Sequence, residues 1–317
     1  MLKIPSPNCH DNLGLIGLCR FNREIVLSMI VIFNPTAGGR RVQALWHVLD
    51  ILSGNGVRID LVETQYPGHA AEIARGAAAA GAELIVAAGG DGTIAEVANG
   101  LTGSAAKLGV LPIGTANVLA HELALPFDPG HIAAALAFGR TRAIWPGVAT
   151  GGEGTRLFVQ MLGVGFDGYV VQSLPLPLKR VIGRAAYAIQ TLRASRQYRF
   201  PPITLRIDGA ETQTGSAIVS KGNLYGGPYR LARNACLEQP GFSVSLFDRT
   251  GPMAALMYGA ALPLGLLAHA PGIRQLRARE VVFTGNAHVP VQTDGDGAGT
   301  TPLHISDARE PIRIVVG

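Results

Sequence analysis

The chain has 317 residues, of which 48% are hydrophobic and 15% are charged, a composition typical of a globular protein with room for two hydrophobic cores. The net charge of +5 suits an anionic small molecule or a membrane surface as partner and is too small to predict nucleic-acid binding. Three scattered cysteines, Cys9, Cys19 and Cys236, argue against a disulfide framework or a zinc site and favour a reducing compartment.

Residues 1–28 show neither helical nor strand periodicity. Their apolar run, Leu13 to Cys19, is short for the core of a signal peptide. We therefore predict a disordered extension, followed by a folded chain that begins at Met29.

Residues 29–127 alternate between strand-like and helix-like segments. Three of the strand-like segments, SMIVIF, ELIVAAGG and KLGVLPIG, are short and largely apolar, and VRIDLVET is strand-like by its branched residues. Apolar strands that alternate with helices predict a parallel sheet covered on both faces, which makes this part an α/β domain. In such sheets, ligands bind beyond the carboxyl ends of the strands.

Residues 128–317 contain short strand-like segments divided by Gly, Pro and Asp, among them SAIVSKG, FSVSLFD and IRIVVG. This pattern predicts an antiparallel β-sandwich with helical insertions near residues 178–194 and 253–268. The second insertion is uncharged but is interrupted by Pro263, which favours a buried or interfacial helix over a transmembrane span. The last segment of the chain is also compatible with a return to the first domain.

Three turns that suit phosphate binding follow three different predicted strands. FNPTAGGR at residues 33–40 and GGDGT at residues 89–93 place glycine N–H groups at the start of a helix, where the helix dipole attracts anions. PIGTANVLA at residues 112–120 adds Thr115 and Asn117 at a third helix start. A single glycine turn is usually only a tight connection, but three in one parallel-sheet domain predict a phosphate-containing ligand.

The order of these motifs resembles the diacylglycerol kinase catalytic family, which includes bacterial lipid kinases, sphingosine kinases and ceramide kinases. The resemblance spans nearly the whole chain, although GGDGT alone is also found in NAD kinases and phosphofructokinases. The matching residues are Asn34-Pro35, Gly38-Gly39, Thr64, Gly68-His69-Ala70, Gly89 to Thr93, Gly114 to Asn117, Gly163 to Asp167 and Asp294-Gly295.

The resemblance implies a nucleotide-binding α/β domain, a lipid-binding β-sandwich domain and catalysis in the cleft between them. It also implies ATP and Mg²⁺ as cofactors, with Asp91 as the carboxylate that holds Mg²⁺ directly or through water. A helix cap or a turn is the structural alternative for Asp91. The residues implied to contact ATP are Asn34, Gly38, Gly39, Thr64, Gly89, Gly90, Asp91, Gly92, Thr93, Ile94, Ala95, Thr115 and Asn117.

In the family, an Asp-Gly-Glu motif near the C-terminus supplies the base that takes the proton from the lipid hydroxyl. This chain has Asp294-Gly295-Asp296 instead, and either aspartate is a candidate for the catalytic base. Asp-Gly is also the strongest hairpin signal, and both roles are compatible. A second departure is Pro240-Gly241, where some relatives have an Asp-Gly that helps to hold a structural metal. Proline offers no carboxylate, so we expect no second metal here.

The function that this resemblance predicts is an ATP-dependent lipid kinase that phosphorylates a hydroxyl of a diacylglycerol-like or sphingoid lipid. Two alternatives stay open. One is an NAD kinase-like enzyme, which would share GGDGT, and the other is a non-catalytic lipid- or nucleotide-binding regulator on the same fold.

A basic stretch is the candidate membrane contact. Residues 168–207 contain no acidic residue, and the arginines Arg193, Arg196 and Arg199 lie within them. We predict that this stretch binds an anionic membrane surface, with a solvated helix face as the alternative. The expected location is therefore cytoplasmic and peripheral, at the inner membrane surface, with a lipid substrate and no nucleic-acid partner.

Overall fold

The computed structural model describes residues 27–37, 41–173, 184–285 and 288–317. Most of the predicted N-terminal extension lies outside the described residues, as does the pair Gly38-Gly39. The described chain forms one largely parallel sheet that is flanked by helices. It also forms two antiparallel sheets, which share a separate hydrophobic core.

The first sheet contains the strands β1 (Ser28–Phe33), β2 (Arg58–Glu63), β3 (Leu84–Gly89), β4 (Lys107–Pro112), β5 (Arg140–Ile144) and β20 (Ile312–Val316). They lie in the order β2-β1-β3-β4-β20-β5 and are parallel except for the β20–β5 pair. Successive residues of a strand face opposite sides of the sheet and pack into two different cores. Ile32 and Ala87 contribute to one core, and Val31 and Val86 contribute to the other. Burial on both faces explains why the inner strands β1, β3 and β4 are apolar along most of their length.

Helices cover both faces of this sheet, namely α1 (Val42–Gly54), α2 (His69–Ala79), α3 (Asp91–Gly100), α4 (Val118–Glu122) and α5 (Pro129–Phe138). α2, α3 and α4 pack on one core, and α1 and α5 pack on the other. The predicted α/β class is thereby confirmed. α5, β5 and β20 belong to this layer although they follow residue 128. The residue at which the two domains divide stays a prediction.

The two antiparallel sheets form the predicted β-sandwich. Their strands are β6 (Gly147–Gly151), β7 (Gly154–Phe158), β8 (Met161–Val164), β9 (Ile203–Ile207), β10 (Ala210–Thr214), β11 (Ser216–Ser220), β14 (Phe242–Phe247), β15 (Ile273–Ala278), β16 (Val281–Phe283), β17 (Pro290–Thr293), β18 (Asp296–Thr300) and β19 (Leu303–Asp307). One sheet has the order β10-β9-β16-β19-β6-β7 and the other β15-β14-β11-β8-β17-β18. Leu205 and Phe283 of the first sheet meet Val219 and Val244 of the second in one core.

The remaining elements are α6 (Phe166–Gln172), α7 (Arg184–Gln197), α8 (Pro252–Ala261) and the hairpin formed by β12 (Leu224–Tyr225) and β13 (Tyr229–Arg230). α7 packs against both α6 and α8. α8 ends just before Pro263, which has no N–H to continue the helical hydrogen bonding. Among the described residues, no helix combines the length and the apolar character that crossing a bilayer requires.

Candidate active site

The described residues of the three predicted phosphate-binding turns lie together at the carboxyl ends of β1, β3 and β4. Asn34, which follows β1, donates a hydrogen bond from Nδ2 to Oγ1 of Thr93 at 3.0 Å. Oδ1 of Asn34 accepts hydrogen bonds from the N–H and the hydroxyl of Thr36 at 2.9 and 2.8 Å, which fixes the orientation of the amide. The first two turns are therefore joined through side chains.

The second and third turns touch through their backbones. The N–H groups of Ile113 and Gly114 both donate to the carbonyl oxygen of Gly89 at 3.1 Å. A Cβ on Gly114 would overlap the Cα of Gly90, so only glycine permits this approach. Arg41, which sequence analysis missed, donates from Nη1 to the carbonyl oxygen of Gly114 at 2.8 Å and brings a positive charge to the turns.

Asn117 precedes α4 and has a left-handed backbone conformation with a φ of 47°. Its buried side chain donates from Nδ2 to the carbonyl oxygens of Pro112 and Gly114 at 3.3 and 3.0 Å. Its Oδ1 is also buried and accepts no hydrogen bond from the described residues. Thr115, in the same turn, is exposed.

The N-terminus of α2 is already satisfied by a protein carboxylate. Oε1 of Glu96 accepts from the N–H of Gly68 at 2.9 Å, and Oε2 accepts from the N–H of Ala70 at 3.2 Å. Thr64, the predicted nucleotide contact nearby, follows β2 and donates its N–H to the carbonyl oxygen of Phe33 at 2.8 Å. Glu96 thus takes the position that an anion would otherwise favour at this helix start.

α3 begins directly after β3, at Asp91. The side chains of Thr93, Ile94 and Ala95 are buried and hold the helix against the sheet. Oδ1 of Asp91 accepts from the N–H of Leu119 at 3.2 Å and so caps α4, which is the structural alternative expected for this residue. Mg²⁺ bound with nucleotide phosphates needs only one or two carboxylates, and the described residues contain no cluster of three metal-binding side chains.

The Asp-Gly motif near the C-terminus forms the turn between β17 and β18. Asp294 and Gly295 both have positive φ angles, 49° and 87°, as a tight hairpin turn requires. The N–H of Asp294 donates to the carbonyl oxygen of Met161 at 2.9 Å, which ties the turn to β8. The predicted hairpin is therefore present.

The carboxylate of Asp294 is buried among backbone N–H groups. Oδ1 accepts from Gln160 and Met161 at 2.8 and 2.9 Å, and Oδ2 accepts from Val159 at 2.7 Å. Burial raises the pKa of Asp294 to about 7, against the lowering effect of the three N–H donors and with a further increase from the charge of Asp91. Asp294 is thus held in one orientation, close to Asp91 of the GGDGT turn.

Asp296, the first residue of β18, lies against the start of α3. A Cβ on Gly92 would overlap Oδ2 of Asp296, so glycine at position 92 allows this carboxylate to reach the helix. Asp296 is partly exposed, whereas Asp294 is buried. The C-terminal turn of the sandwich therefore contacts the GGDGT turn, and the carboxylates of Asp91, Asp294 and Asp296 lie around the same junction.

Protonation of Asp294 predicts a pH dependence of stability. Its pKa of about 7 in the folded chain exceeds the usual 3.8, so between these values the folded state binds more protons than the unfolded state. The free energy of unfolding should therefore fall as the pH rises from about 4 to about 7. Chemical denaturation across this range measures the slope, and Asp294→Asn should lack this part of it. Equal slopes for the two proteins would contradict the raised pKa.

An apolar cavity of about 170 Å³ lies between α6, α8 and the sheet that contains β11 and β14. Most of its wall is apolar, with contributions from Val170, Ile218, Phe247, Leu262 and Leu267. Two charged residues also line it, Asp167, which is buried, and Arg249, which is exposed. A largely apolar cavity with a few polar groups suits the acyl part of a lipid.

A chain of hydrogen bonds connects this cavity with the Asp294 turn. Oδ1 of Asp167 accepts from the hydroxyl of Tyr225, and Oδ2 accepts from Nε2 of Gln292 at 2.7 Å. Oε1 of Gln292 in turn accepts from the N–H of Gly295 at 2.8 Å. Burial raises the pKa of Asp167, and the two donors oppose that change. Sequence analysis missed Tyr225 and Gln292, and the only available signal was that Gln292 lies beside the TDGD motif.

A buried ammonium group lies beside Pro240-Gly241, where the sequence predicts no metal. Nζ of Lys221 donates to the carbonyl oxygens of Gln239 and Gly241 at 3.2 and 2.8 Å, and to Oδ1 of Asp307 at 2.7 Å. The side chain of Lys221 is 0% exposed. Burial lowers the pKa of Lys221, and the Asp307 carboxylate opposes that change. The chain thus supplies its own cation at this position.

Several known proteins are similar to this chain. A protein named "Diacylglycerol kinase" from Bacillus subtilis (strain 168) is 27% identical over 293 residues, which are 90% of this chain and 95% of that protein. A "Probable lipid kinase YegS-like" from Pseudomonas aeruginosa (strain UCBPP-PA14) is 30% identical over 242 residues, 73% of this chain and 76% of that protein. The crystal structure of a diacylglycerol kinase from Bacillus anthracis str. Sterne has the same fold, with a TM-score of 0.66, 18% identity and coverage of 92% of this chain and 97% of that one.

The fold is an α/β domain whose glycine turns meet the carboxylate turn of a β-sandwich, and the names of the similar proteins support a lipid kinase. Residues 28–149 match the family model for the diacylglycerol kinase catalytic domain. Residues 161–316 match the model for the YegS C-terminal NAD kinase beta sandwich-like domain. The chain belongs to the diacylglycerol kinase catalytic domain family.

Proposed function

We propose that the protein is an ATP-dependent lipid kinase that transfers the γ-phosphate to a hydroxyl of a diacylglycerol-like lipid. The observation that carries this proposal is the contact between Asp296 of the sandwich and Gly92 at the start of α3. The apolar cavity is linked to the same turn through Asp167 and Gln292. A phosphate at α3 and an acyl chain in the cavity would therefore be brought together.

The three turns suit the phosphates of a nucleotide. Gly90 and Gly114 let the second and third turns approach each other closely, and Arg41 contributes positive charge. When bound, ATP would supply the phosphoryl group and Mg²⁺ would offset its negative charge. We assign Asp91 as the residue that holds the metal, directly or through water.

We assign the role of base to Asp296 and a positioning role to Asp294. The three N–H donors hold the Asp294 carboxylate in its buried position. Asp296 is partly exposed and faces the start of α3. A base must come within hydrogen-bonding reach of the hydroxyl whose proton it accepts. This requirement favours the partly exposed Asp296 over the buried Asp294.

The charges of the cavity favour a neutral lipid over a sphingoid base. Both oxygens of Asp167 already accept hydrogen bonds, from Tyr225 and Gln292, and Arg249 is the cation on the wall. Arg249 would repel a protonated sphingoid amine. The hydroxyl of a neutral glycerolipid would not be repelled. The proposed place of action is the cytoplasmic face of the membrane, where such a lipid is available.

Transfer of labelled phosphate tests the proposed function. The full chain is incubated with labelled ATP, Mg²⁺ and a total lipid extract, and we expect label in a phosphorylated diacylglycerol. Label on added NAD would instead identify an NAD kinase-like enzyme. No labelled product would indicate a non-catalytic regulator, and either outcome would overturn the proposal. Purified diacylglycerol and sphingosine then distinguish the two lipid classes.

Asp91→Asn should raise the Mg²⁺ concentration needed for half-maximal activity by about tenfold or more. The asparagine keeps an acceptor oxygen for the N–H of Leu119, so α4 stays capped while the negative charge is lost. Titration of Mg²⁺ at fixed ATP measures the effect. Glu96→Gln is the control for loss of one charge from α3; its folding is checked as well, because the amide would turn its NH₂ group toward the N–H of Gly68 or Ala70. An equal change in both variants would argue against a specific role for Asp91.

A further inference from the structure

Large apolar side chains are exposed on and after α8. We call Met253, Leu256, Leu264 and Leu266 the apolar patch, and their exposures are 77%, 59%, 70% and 54%. From residue 252 to residue 266, every exposed residue lacks a polar side chain. A contiguous apolar surface of this kind marks a site of contact with another apolar phase or molecule.

The apolar patch and the cavity share the helix α8. Ala255, Tyr258 and Leu262 line the cavity. Met253 and Leu256 are large apolar residues of the same helix that are exposed. α8 therefore separates the cavity from the patch by the width of one helix. A molecule that enters the cavity from an apolar phase would approach along this surface.

The charges around the patch are positive. From residue 249 to residue 279 the chain contains no Asp or Glu. Arg249 and His269 are exposed on either side of the patch. Arg193 and Arg196 are exposed on α7, which packs against α8. A surface with apolar side chains at its centre and cations around it complements the acyl region and the headgroups of an anionic bilayer.

We propose that the apolar patch is the surface through which the protein binds an anionic lipid bilayer, with the neighbouring arginines at the headgroups. The inference rests on the proposed function only in taking the substrate to be a bilayer lipid. A second copy of the chain would also cover the apolar side chains, but it would bring two sets of arginines together, which is unfavourable. Arg193 and Arg196, which belong to the basic stretch predicted to bind the membrane, lie at the edge of this larger surface.

Vesicle binding by the full chain tests the proposal. Met253→Ser and Leu264→Ser should each weaken binding to phosphatidylglycerol-containing vesicles by about tenfold or more, since each removes a large apolar side chain from the bilayer. Phe138→Ser is the matched control, because Phe138 is 88% exposed at the end of α5 in the other domain. Sedimentation with vesicles, without ATP, gives the partition coefficients.

A second variant set tests the electrostatic part. Replacing Arg193, Arg196 and Arg199 by Gln should weaken binding at low salt, and the difference should shrink at high salt. Vesicles of pure phosphatidylcholine should show little dependence on these arginines. Equal binding by the parent and the triple variant at low salt would overturn the headgroup contact.

Other outcomes separate this inference from the proposed function. Patch variants should phosphorylate a water-soluble short-chain diacylglycerol at the parental rate, and a loss there with unchanged vesicle binding would overturn the proposal. Equal losses in the patch variants and in Phe138→Ser would also overturn it. If light scattering showed a dimer that the patch variants convert to a monomer with unchanged vesicle binding, the surface would be assigned to a second copy. Weaker vesicle binding in a protein that phosphorylates no lipid would support the surface and overturn only the kinase proposal.

Discussion

Asp296→Asn should lower the rate of lipid phosphorylation by roughly 10²–10⁴-fold, the range expected for loss of a general base. The amide has nearly the same shape and still fits against Gly92, but it cannot accept the proton of the lipid hydroxyl. ATP binding should change little, because the backbone of the GGDGT turn is not altered. Turnover on the identified lipid, beside a nucleotide-binding measurement, gives both quantities.

Asp294→Asn should combine a slower reaction with a less stable protein. An amide oxygen can keep part of the hydrogen bonding, but the NH₂ group would face an N–H donor of the segment from Val159 to Met161. Asp296→Asn has no such consequence for the buried N–H groups. A folded Asp294→Asn protein with a larger rate loss than Asp296→Asn would make Asp294 the base instead.

A matched control for both variants exists in a second Asp-Gly turn. Asp208 and Gly209 join β9 and β10 with φ angles of 47° and 85°. Oδ1 of Asp208 accepts from the N–H groups of Arg279 and Glu280 at 2.9 Å. Asp208→Asn should therefore alter a similar turn without altering turnover. Parental rates in both Asp294→Asn and Asp296→Asn would contradict any chemical role for the C-terminal turn.

Lys221→Ala should lower the free energy of unfolding by about 3–5 kcal/mol, as expected when one partner of a buried ion pair is removed. The substitution leaves two carbonyl oxygens and the Asp307 carboxylate without their shared donor. Chemical denaturation measures the loss. The control is Lys107→Ala. Lys107 is a partly buried residue of β4 that makes no ion pair within the described residues, so its replacement should lower the free energy of unfolding far less.

The same site predicts a response to metals. Chelation of divalent ions should leave the stability of the parent protein unchanged, because the ammonium of Lys221 already pairs with these oxygens. In the double variant Lys221→Ala/Pro240→Asp, a new carboxylate would be added near the carbonyl oxygens of Gln239 and Gly241. Divalent cations that prefer oxygen ligands should then restore part of the lost stability. A Lys221→Ala protein as stable as the parent would contradict this role of the ammonium.

Sequence reasoning located the glycine turns and the parallel sheet because both leave local signals. A strand buried on two faces is apolar along its whole length, as in β1 and β3, and this pattern needs no knowledge of distant residues. Gly90 and Gly114 stand out for a similar reason, since close backbone contact excludes other residues. The order of the motifs then indicated the resemblance to a family, and that resemblance implied the expected ligands.

The partners of these local features depend on the tertiary structure. β20 lies between β4 and β5, but its sequence, IRIVV, is equally suited to the sandwich. The contact of Asp296 with Gly92 and the bond of Tyr225 to Asp167 join residues that are far apart in the chain. A single sequence records which residues prefer burial, but it does not record which buried groups meet.

By itself, the sequence determined the α/β class, the β-sandwich and the three turns, because periodicity and glycine spacing follow from local backbone geometry. The Asp-Gly spacing indicated a hairpin, and the resemblance to the family made its two aspartates candidates for the base. Only the tertiary structure decided that Asp294 is enclosed by N–H groups while Asp296 faces α3. It also decided that Lys221 provides a buried cation beside Pro240. The physical reason is that the surroundings of a charge, its burial and its donors, come from segments distant in sequence, and these surroundings determine what the charge can do.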